Sequence, residues 1–310
     1  MTERILTLTL NPAVDITCAT PRVLPDHKLR TSEEQYDPGG GGVNVARVVH
    51  DLGGEARALI MVGGATGLLY EELLGAHGVP YSAIPIRGRT RVAMNVHESD
   101  SGRAFRFVTP GPVLSAEEWQ SVLDHLQHSE AEWIVASGSL PRGVPEDFYA
   151  RAAEIARRRG QHFVLDTSGP ALAHALRKGI ALAKPSRREF ESLVGQPLAD
   201  DAALEAAALK LVREHAAQML VISLAGQGAL LATAQGVHRL PALEVSVRSE
   251  VGAGDSFVAG MVLGLARGEA AERAFARGMA AGAAAVSSAG TAHPDPTLVE
   301  ALLARLLTVE

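Results

Sequence analysis

The sequence predicts an α/β fold: an open, mainly parallel sheet flanked by helices, with a small antiparallel sheet inserted as a lid. Two observations carry the main body. Apolar runs of strand length alternate with stretches of helical period, and most of these runs lack polar alternation, as strands covered on both faces require. A third observation carries the lid. Two segments, about 17–35 and 91–108, break the alternation and contain period-two stretches such as Val92, Met94, Val96 and Phe105, Phe107, divided by the polar turn 99–102. The chain, 1–310, reads as one domain.

In order, residues 5–10 form the first strand and 43–52 the first helix, followed by a strand at 56–62. After the lid, 115–127 is helical, opened by a capping box in which Ser115 and Glu118 satisfy each other's backbone N–H groups. A strand at 133–137 leads to a helix at 145–159, where Pro145, Glu146 and Asp147 suit the positive end of a helix dipole. Strands follow at 162–166, 181–184 and 219–223, the last preceded by a helix at 202–214, and 229–233 and 237–240 make a strand pair. Helices at 255–267, 272–287 and 297–307 close the chain, and the Ala- and Gly-rich stretch 270–289 suits a tightly packed buried helix.

With 310 residues, 47% of them hydrophobic and 21% charged, the chain can bury a full core. Its 29 Lys and Arg against 35 Asp and Glu give a net charge of -6, and the basic residues are scattered, so no nucleic-acid partner is expected. Cys18 is the one cysteine, and no Cys/His group has metal-ligand spacing; a reducing, cytoplasmic setting is expected. No apolar run approaches the ~18 residues of a membrane span, and residues 1–10 are too short and charged for a signal peptide.

Two glycine clusters carry the chemistry. Gly252, Ala253, Gly254 and Asp255 open a helix after an extended stretch, so free backbone N–H groups converge where the dipole favours an anion such as phosphate. An Asp there is first a helix cap; beside an anion cradle it is also the acceptor that can take a proton from an attacking hydroxyl. Gly39, Gly40, Gly41 and Gly42 lead into Asn44, reading either as a flexible turn or as a loop that a ligand approaches closely. Upstream, Asp15 suits hydroxyls, and Lys28 and Arg30 suit phosphate. The chain has no G-x-x-x-x-G-K-[ST] loop, and Phe257 stands where a dinucleotide fingerprint would have its third glycine, which weighs against a nicotinamide-dependent dehydrogenase. The stretch 223–228 reads by itself as a hairpin turn.

From Thr7 to about Pro294 the sequence resembles the PfkB, or ribokinase-like, carbohydrate kinases, through both glycine clusters. Within them it is similar to the ribokinase-like 6-phosphofructokinases, through 8–12 with Asp15, 28–30, 38–44, 63–67, 106–108, 137–141 and 184–185. The resemblance implies a ribokinase-like fold and transfer of a phosphoryl group from ATP to a sugar phosphate, with Asp255 as base and Gly252, Ala253 and Gly254 as anion hole. It implies that Asp15, Gly39 to Gly42, Asn44, Arg91 and Ser139 orient the sugar, with Lys28 near the transferring phosphate. On the nucleotide side it implies Lys184, the Ser186 position, Ser223, Gly226 and Gly228, with Glu189 on Mg2+ through water. A potassium-type cation would take carbonyls of Ser249, Val251, Ser288 and Gly290.

Fructose 6-phosphate is the implied acceptor, because related 1-phosphofructokinases and tagatose-6-phosphate kinases typically have Gly-Lys-Gly where this chain has 40–42. Those two activities are the alternatives, and a non-catalytic sugar-phosphate or nucleotide-binding regulator is the alternative of another class. Of three departures from the family pattern, those at Ser186 and Glu250 motivate the last. Ser186 replaces an Asn, Glu250 stands before the anion hole and is expected to point outward, and Ala225 replaces a glycine, which requires a negative φ. The one-sided lid implies a homodimer.

Overall fold

The computed structural model describes residues 5–32, 34–247, 251–287 and 293–308. Its main sheet runs β13-β12-β11-β10-β9-β8-β1-β4-β5. The strands are β1 (Ile5–Thr9), β4 (Ala56–Val62), β5 (Tyr81–Pro85), β8 (Trp133–Ser137), β9 (His162–Asp166), β10 (Ile180–Ala183), β11 (Ala217–Ser223), β12 (Ala229–Thr233) and β13 (Gly236–Leu240). From β5 through β11 every pairing is parallel, and β12 and β13 add an antiparallel edge. Side chains of β1 alternate between two buried faces, Ile5 with Thr7 and Thr9 on one and Leu6 and Leu8 on the other. The chain leaves β1 toward β4 on one side and returns through β8 on the other. The carboxyl ends of β1 and β8 therefore open a crevice at the switch point, where such sheets bind ligands.

Helices α1 (Gly41–Asp51), α2 (Gly64–Ala76), α3 (Ala116–His128), α4 (Phe148–Arg158), α5 (Gly169–Leu176), α6 (Arg187–Val194), α7 (Asp201–Arg213), α8 (Ala253–Ala266), α9 (Ala271–Val286) and α10 (Pro296–Leu307) cover the sheet. The capping box at Ser115 and Glu118 is formed as expected. The helix expected from 145 begins at Phe148, because residues 145–147 make a turn in which Phe148 N donates to Pro145 O. Helices α2, α5 and α6 were not expected. Two of them open on glycine, a turn signal, and α6 is only eight residues long. Small residues in α8 and α9 allow the close packing read from the sequence: a Cβ on Gly260 would lie 2.8 Å from that of Ala281. Among the described residues no helix is long and apolar enough to cross a membrane.

The lid is a second sheet of order β3-β2-β6-β7, from β2 (Ala13–Thr20), β3 (Gln35–Gly39), β6 (Arg91–Glu98) and β7 (Arg103–Val108). Two corrections apply to the expected lid. Its first part starts at Ala13 rather than near 17, with residues 21–32 outside any strand, and β2 and β6 pair in parallel while the two outer pairings are antiparallel. Ile16, Tyr36, Met94 and Phe107 stand in register across one face, and Tyr36, Met94 and Phe107 are exposed. Asp15, Asp37, Arg91 and Arg106 fall at alternate positions and so share the opposite face.

Candidate active site

Gly252 takes a left-handed conformation, φ 81°, as the residue preceding α8, and its carbonyl accepts from Ser256 N. The N–H groups of Ala253, Gly254 and Asp255 then lie in the first turn, where helical N–H groups lack intrahelical partners and point at an anion. The Asp255 carboxylate is held from both sides: Asn44 Nδ2 donates to Oδ2 at 2.9 Å and Ser137 Oγ to Oδ1 at 3.1 Å. Burial, then the charge of Asp166, pushes its pKa up to about 6, against the pull of Asn44, Lys184 and Ser137. Asp255 is thus an ionisable acceptor with fixed direction at the head of an anion cradle.

Lys184, at the end of β10, is buried and bridges to Asp166 at 3.1 Å. Burial alone would lower its pKa, but Asp166, Asp255 and Glu189 outweigh that and raise it, so the ammonium is retained. Gly254 has no side chain, and a Cβ there would lie 3.4 Å from Lys184 Nζ; the ammonium reaches the cradle through that gap. Asp166, whose own pKa is raised by burial and by the field of Glu189, is a site residue that sequence reasoning missed. Three carboxylates around one ammonium leave an excess of negative charge, a donor set that fits a hydrated divalent cation.

The glycine loop closes the other side. Gly39 ends β3 against Asp15, and a Cβ at Gly39 would fall 2.0 Å from Asp15 Oδ2. A Cβ on Gly41 would fall 2.1 Å from Ser137 Oγ and 3.0 Å from Asp255 Oδ1, one on Gly40 2.6 Å from Thr9 Cγ2, and one on Gly42 2.3 Å from Leu8 O. Close approach, not flexibility, requires this glycine run. Asn11, which follows β1, reaches Ser139 Oγ at 3.4 Å, and Arg91 Nε donates to Asn11 O at 3.2 Å, so Ser139 and Arg91 meet at the crevice. Ser137 and Asn11 are further residues not singled out from the sequence, although both lie in motifs that were. Lys28 stands exposed on the lid connection, and the charged side chains acting on Asp255 are Asp166 and Lys184.

A cleft of about 470 Å³ runs from Ser139 past Thr167 to Glu189. Ser186 spends its hydroxyl on α6: Glu189 N donates to Ser186 Oγ, while Ser186 N and Oγ each lie 2.8 Å from Glu189 Oε2. One carboxylate oxygen of Glu189 is thereby committed. Ser223 pairs with Ser186 at the adjoining strand end, Gly226 lies in an open 3₁₀ turn, and a Cβ on Gly228 would strike Leu240 O at 2.0 Å. Ala225 overturns the expected negative φ. It is left-handed at φ 50°, because its turn must bring Leu224 N back to Gly228 O. Replacing Ala225 by Gly should therefore stabilise the protein by about 1 kcal/mol, seen as a higher urea midpoint at unchanged slope. Of the expected cation ligands only Val251 is placed; Ser249, Ser288 and Gly290 lie outside the described residues, as does Glu250.

Residues 8–298 match the family described as pfkB family carbohydrate kinase. The chain is 47% identical over 267 residues to the ATP-dependent 6-phosphofructokinase isozyme 2 of Mycobacterium tuberculosis (strain ATCC 25618 / H37Rv), covering 86% of this chain and 78% of that one. It is 38% identical to the Escherichia coli (strain K12) protein of the same name, over 97% and 99% of the two chains. The fold matches the structure of Escherichia coli phosphofructokinase-2 in complex with potassium, at TM-score 0.95 and 36% identity over 99% and 100% of the chains.

Proposed function

Because the chain belongs to the pfkB family of carbohydrate kinases, we propose that it is an ATP-dependent 6-phosphofructokinase, converting fructose 6-phosphate and ATP to fructose 1,6-bisphosphate and ADP. The observation that carries this reading is Asp255, aimed by Asn44 and Ser137 at the head of the α8 cradle. Related names support the acceptor, and the Escherichia coli enzyme has been solved with fructose 6-phosphate.

In the proposed reaction the sugar lies against Asp15, Gly39 to Gly42, Asn44, Arg91 and Ser139, with its free hydroxyl toward Asp255. That oxygen attacks the γ-phosphorus, the bond to the β–γ bridging oxygen breaks, and the proton passes to Asp255. The N–H groups of Ala253 and Gly254 and the first turn of α8 meet the charge that develops. Lys184, Ser223, Gly226 and Gly228 hold the nucleotide, and Lys28 approaches the phosphate as the lid closes and excludes water. Glu189 and Asp166 would hold the hydration shell of Mg2+, which supplies neutralisation of the phosphate charge. A potassium ion near Val251 rests on likeness to the Escherichia coli enzyme alone.

ADP release from Mg-ATP with fructose 6-phosphate, tagatose 6-phosphate, fructose 1-phosphate and unphosphorylated sugars tests the proposal. Preference for fructose 6-phosphate is expected; preference for another acceptor overturns the assignment, and binding without ADP release would mark a regulator. The exposed row of Tyr36, Met94 and Phe107 needs cover, so we infer a homodimer joined through the lids. Light scattering at assay concentration should give twice the chain mass, and a monomer would refute it. A tetrameric inhibited form of the Escherichia coli enzyme has been solved, so a mass of four chains is the other outcome to record.

A further inference from the structure

The buried guanidinium of Arg47 has no part in the reaction as drawn. It is 1% exposed on α1, three residues beyond Asn44 and so on the same helix face. Among the described residues it forms no ion pair, and its Nε and Nη1 are buried without a hydrogen-bond partner. A buried cation is costly unless negative charge opposes it. The opposing carboxylates are Asp37, Asp51 and Asp15, which resist the lowering of its pKa by burial.

Asp15 and Asp37 are direct cross-strand partners in β2 and β3, an arrangement that is unfavourable for like charges. Asp37 is buried beside His77 and His293, the three offering ligand atoms within 4.8 Å of one another. Arg47 borders that cluster: its guanidinium meets His293 Nε2, and His293 Nδ1 faces Asp51 at 3.4 Å. Arg47 therefore stands at the core side of the carboxylate pair.

Resting on the reading of Asp15 as a sugar ligand, we propose that Arg47 is a positioning residue. It is the buried positive charge set behind the cross-strand pair of Asp15 and Asp37, which it holds in place at the floor of the sugar site. The groups facing Asp15 are Asp37 from β3, Arg91 from β6, Arg106 from β7, Arg47 from α1 and Tyr70 from α2. Burial pushes Asp15 up to about 6; Arg91, Arg106 and Arg47 oppose this, and Asp37 adds to it. Arg106 is exposed and Arg91 partly so, on the face where the sugar phosphate would bind. A bound phosphate draws on their charge. Arg47, behind the sheet, is the cation that remains for Asp15, and the same helix face that supplies Asn44 to the base thereby supplies the counter-charge to the sugar acceptor.

The test is the pH dependence of kcat/KM for fructose 6-phosphate in the full-length protein. In Arg47→Met the KM for this sugar should rise about tenfold at pH 7 and the acidic limb should move up by about one pH unit. The KM for ATP should stay within about twofold. Adding Asp37→Asn to Arg47→Met should return most of both changes, because the like charge is gone. Unchanged sugar KM and pH profile in Arg47→Met, with only a lower Tm, would overturn the proposal. If that variant does not fold, Asp37→Asn alone serves: its acidic limb should move down, and an unmoved limb refutes the charge coupling. Asp15→Asn separates the two readings. If it leaves sugar KM unchanged, Asp15 is not the sugar ligand; if it raises KM while Arg47→Met does not, only the Arg47 proposal fails.

Discussion

Asp255→Asn is expected to lose about three orders of magnitude in kcat while remaining folded, with sugar and ATP binding retained. The size follows from the role: a positioned base contributes roughly 10² to 10⁴, and the amide cannot take the proton. The variant should also be the more stable protein. The folded-state pKa of Asp255, about 6, lies above the carboxylate's ordinary 3.8. The folded state therefore binds the proton more tightly than the unfolded one, and this group's contribution falls as pH rises from about 4 through about 6. The penalty is fully developed at neutral pH and amounts to about 2 kcal/mol once the group's partial exposure is allowed for. Thermal scans should show a Tm for Asp255→Asn above that of the parent at pH 7.5, with the two converging near pH 4. In the parent, kcat/KM should fall below about pH 6, where Asp255 and Asp15 both gain protons. Near-normal turnover in the variant would remove Asp255 from the mechanism, and a lower Tm at pH 7.5 would mean that its two hydrogen bonds outweigh its desolvation.

Gly41→Ala should reduce kcat/KM by about a hundredfold, close to 2.7 kcal/mol of transition-state stabilisation. No strained φ is involved; the new methyl meets Ser137 Oγ at 2.1 Å and Ser137 Cβ at 2.8 Å. Either Ser137 turns away and Asp255 loses a donor, or the loop lifts and the sugar shifts from the base. Both outcomes weaken the site, and the first also raises the acidic limb of the pH profile. Ser137→Gly removes both colliding atoms at the cost of that hydrogen bond. Gly41→Ala should therefore cost much less in the Ser137→Gly background than in the parent, a non-additivity that contact between the two residues requires. Equal losses in both backgrounds would mean that the methyl acts elsewhere.

The parallel core was legible because a strand covered on both faces is largely apolar, as at Trp133–Ser137, where only the last residue is polar. The first glycine loop was legible for a related reason, since backbone approach leaves no substitute for glycine at Gly39 or Gly41. What escaped was set by distant partners. Asp166 ends a strand like many surface carboxylates, and only Lys184, brought beside it by the parallel β9–β10 pairing, makes it part of the site. Ser137 reads as the last residue of a buried strand until α8 delivers Asp255 to its hydroxyl. The parallel pairing of β2 with β6 has no local signature, because the chain passes through β3, α1, β4, α2 and β5 before it returns. Ala225 broke a rule that holds locally: the turn closing on Gly228 dictates its conformation over its own preference.

The lid is spliced into the candidate active site at both ends. Strand β2 leaves β1 after Asn11 and Pro12, and β3 ends on Gly39, two residues before α1 begins at Gly41. A force applied to the lid is thus delivered, without an intervening linker, to the residues that line Asp15, Ser137 and Asp255. In the proposed reaction, recognition and rate are therefore mechanically geared. A drift in lid sequence that widened the choice of sugar would retune turnover in the same stroke, so selection on one property is selection on the other.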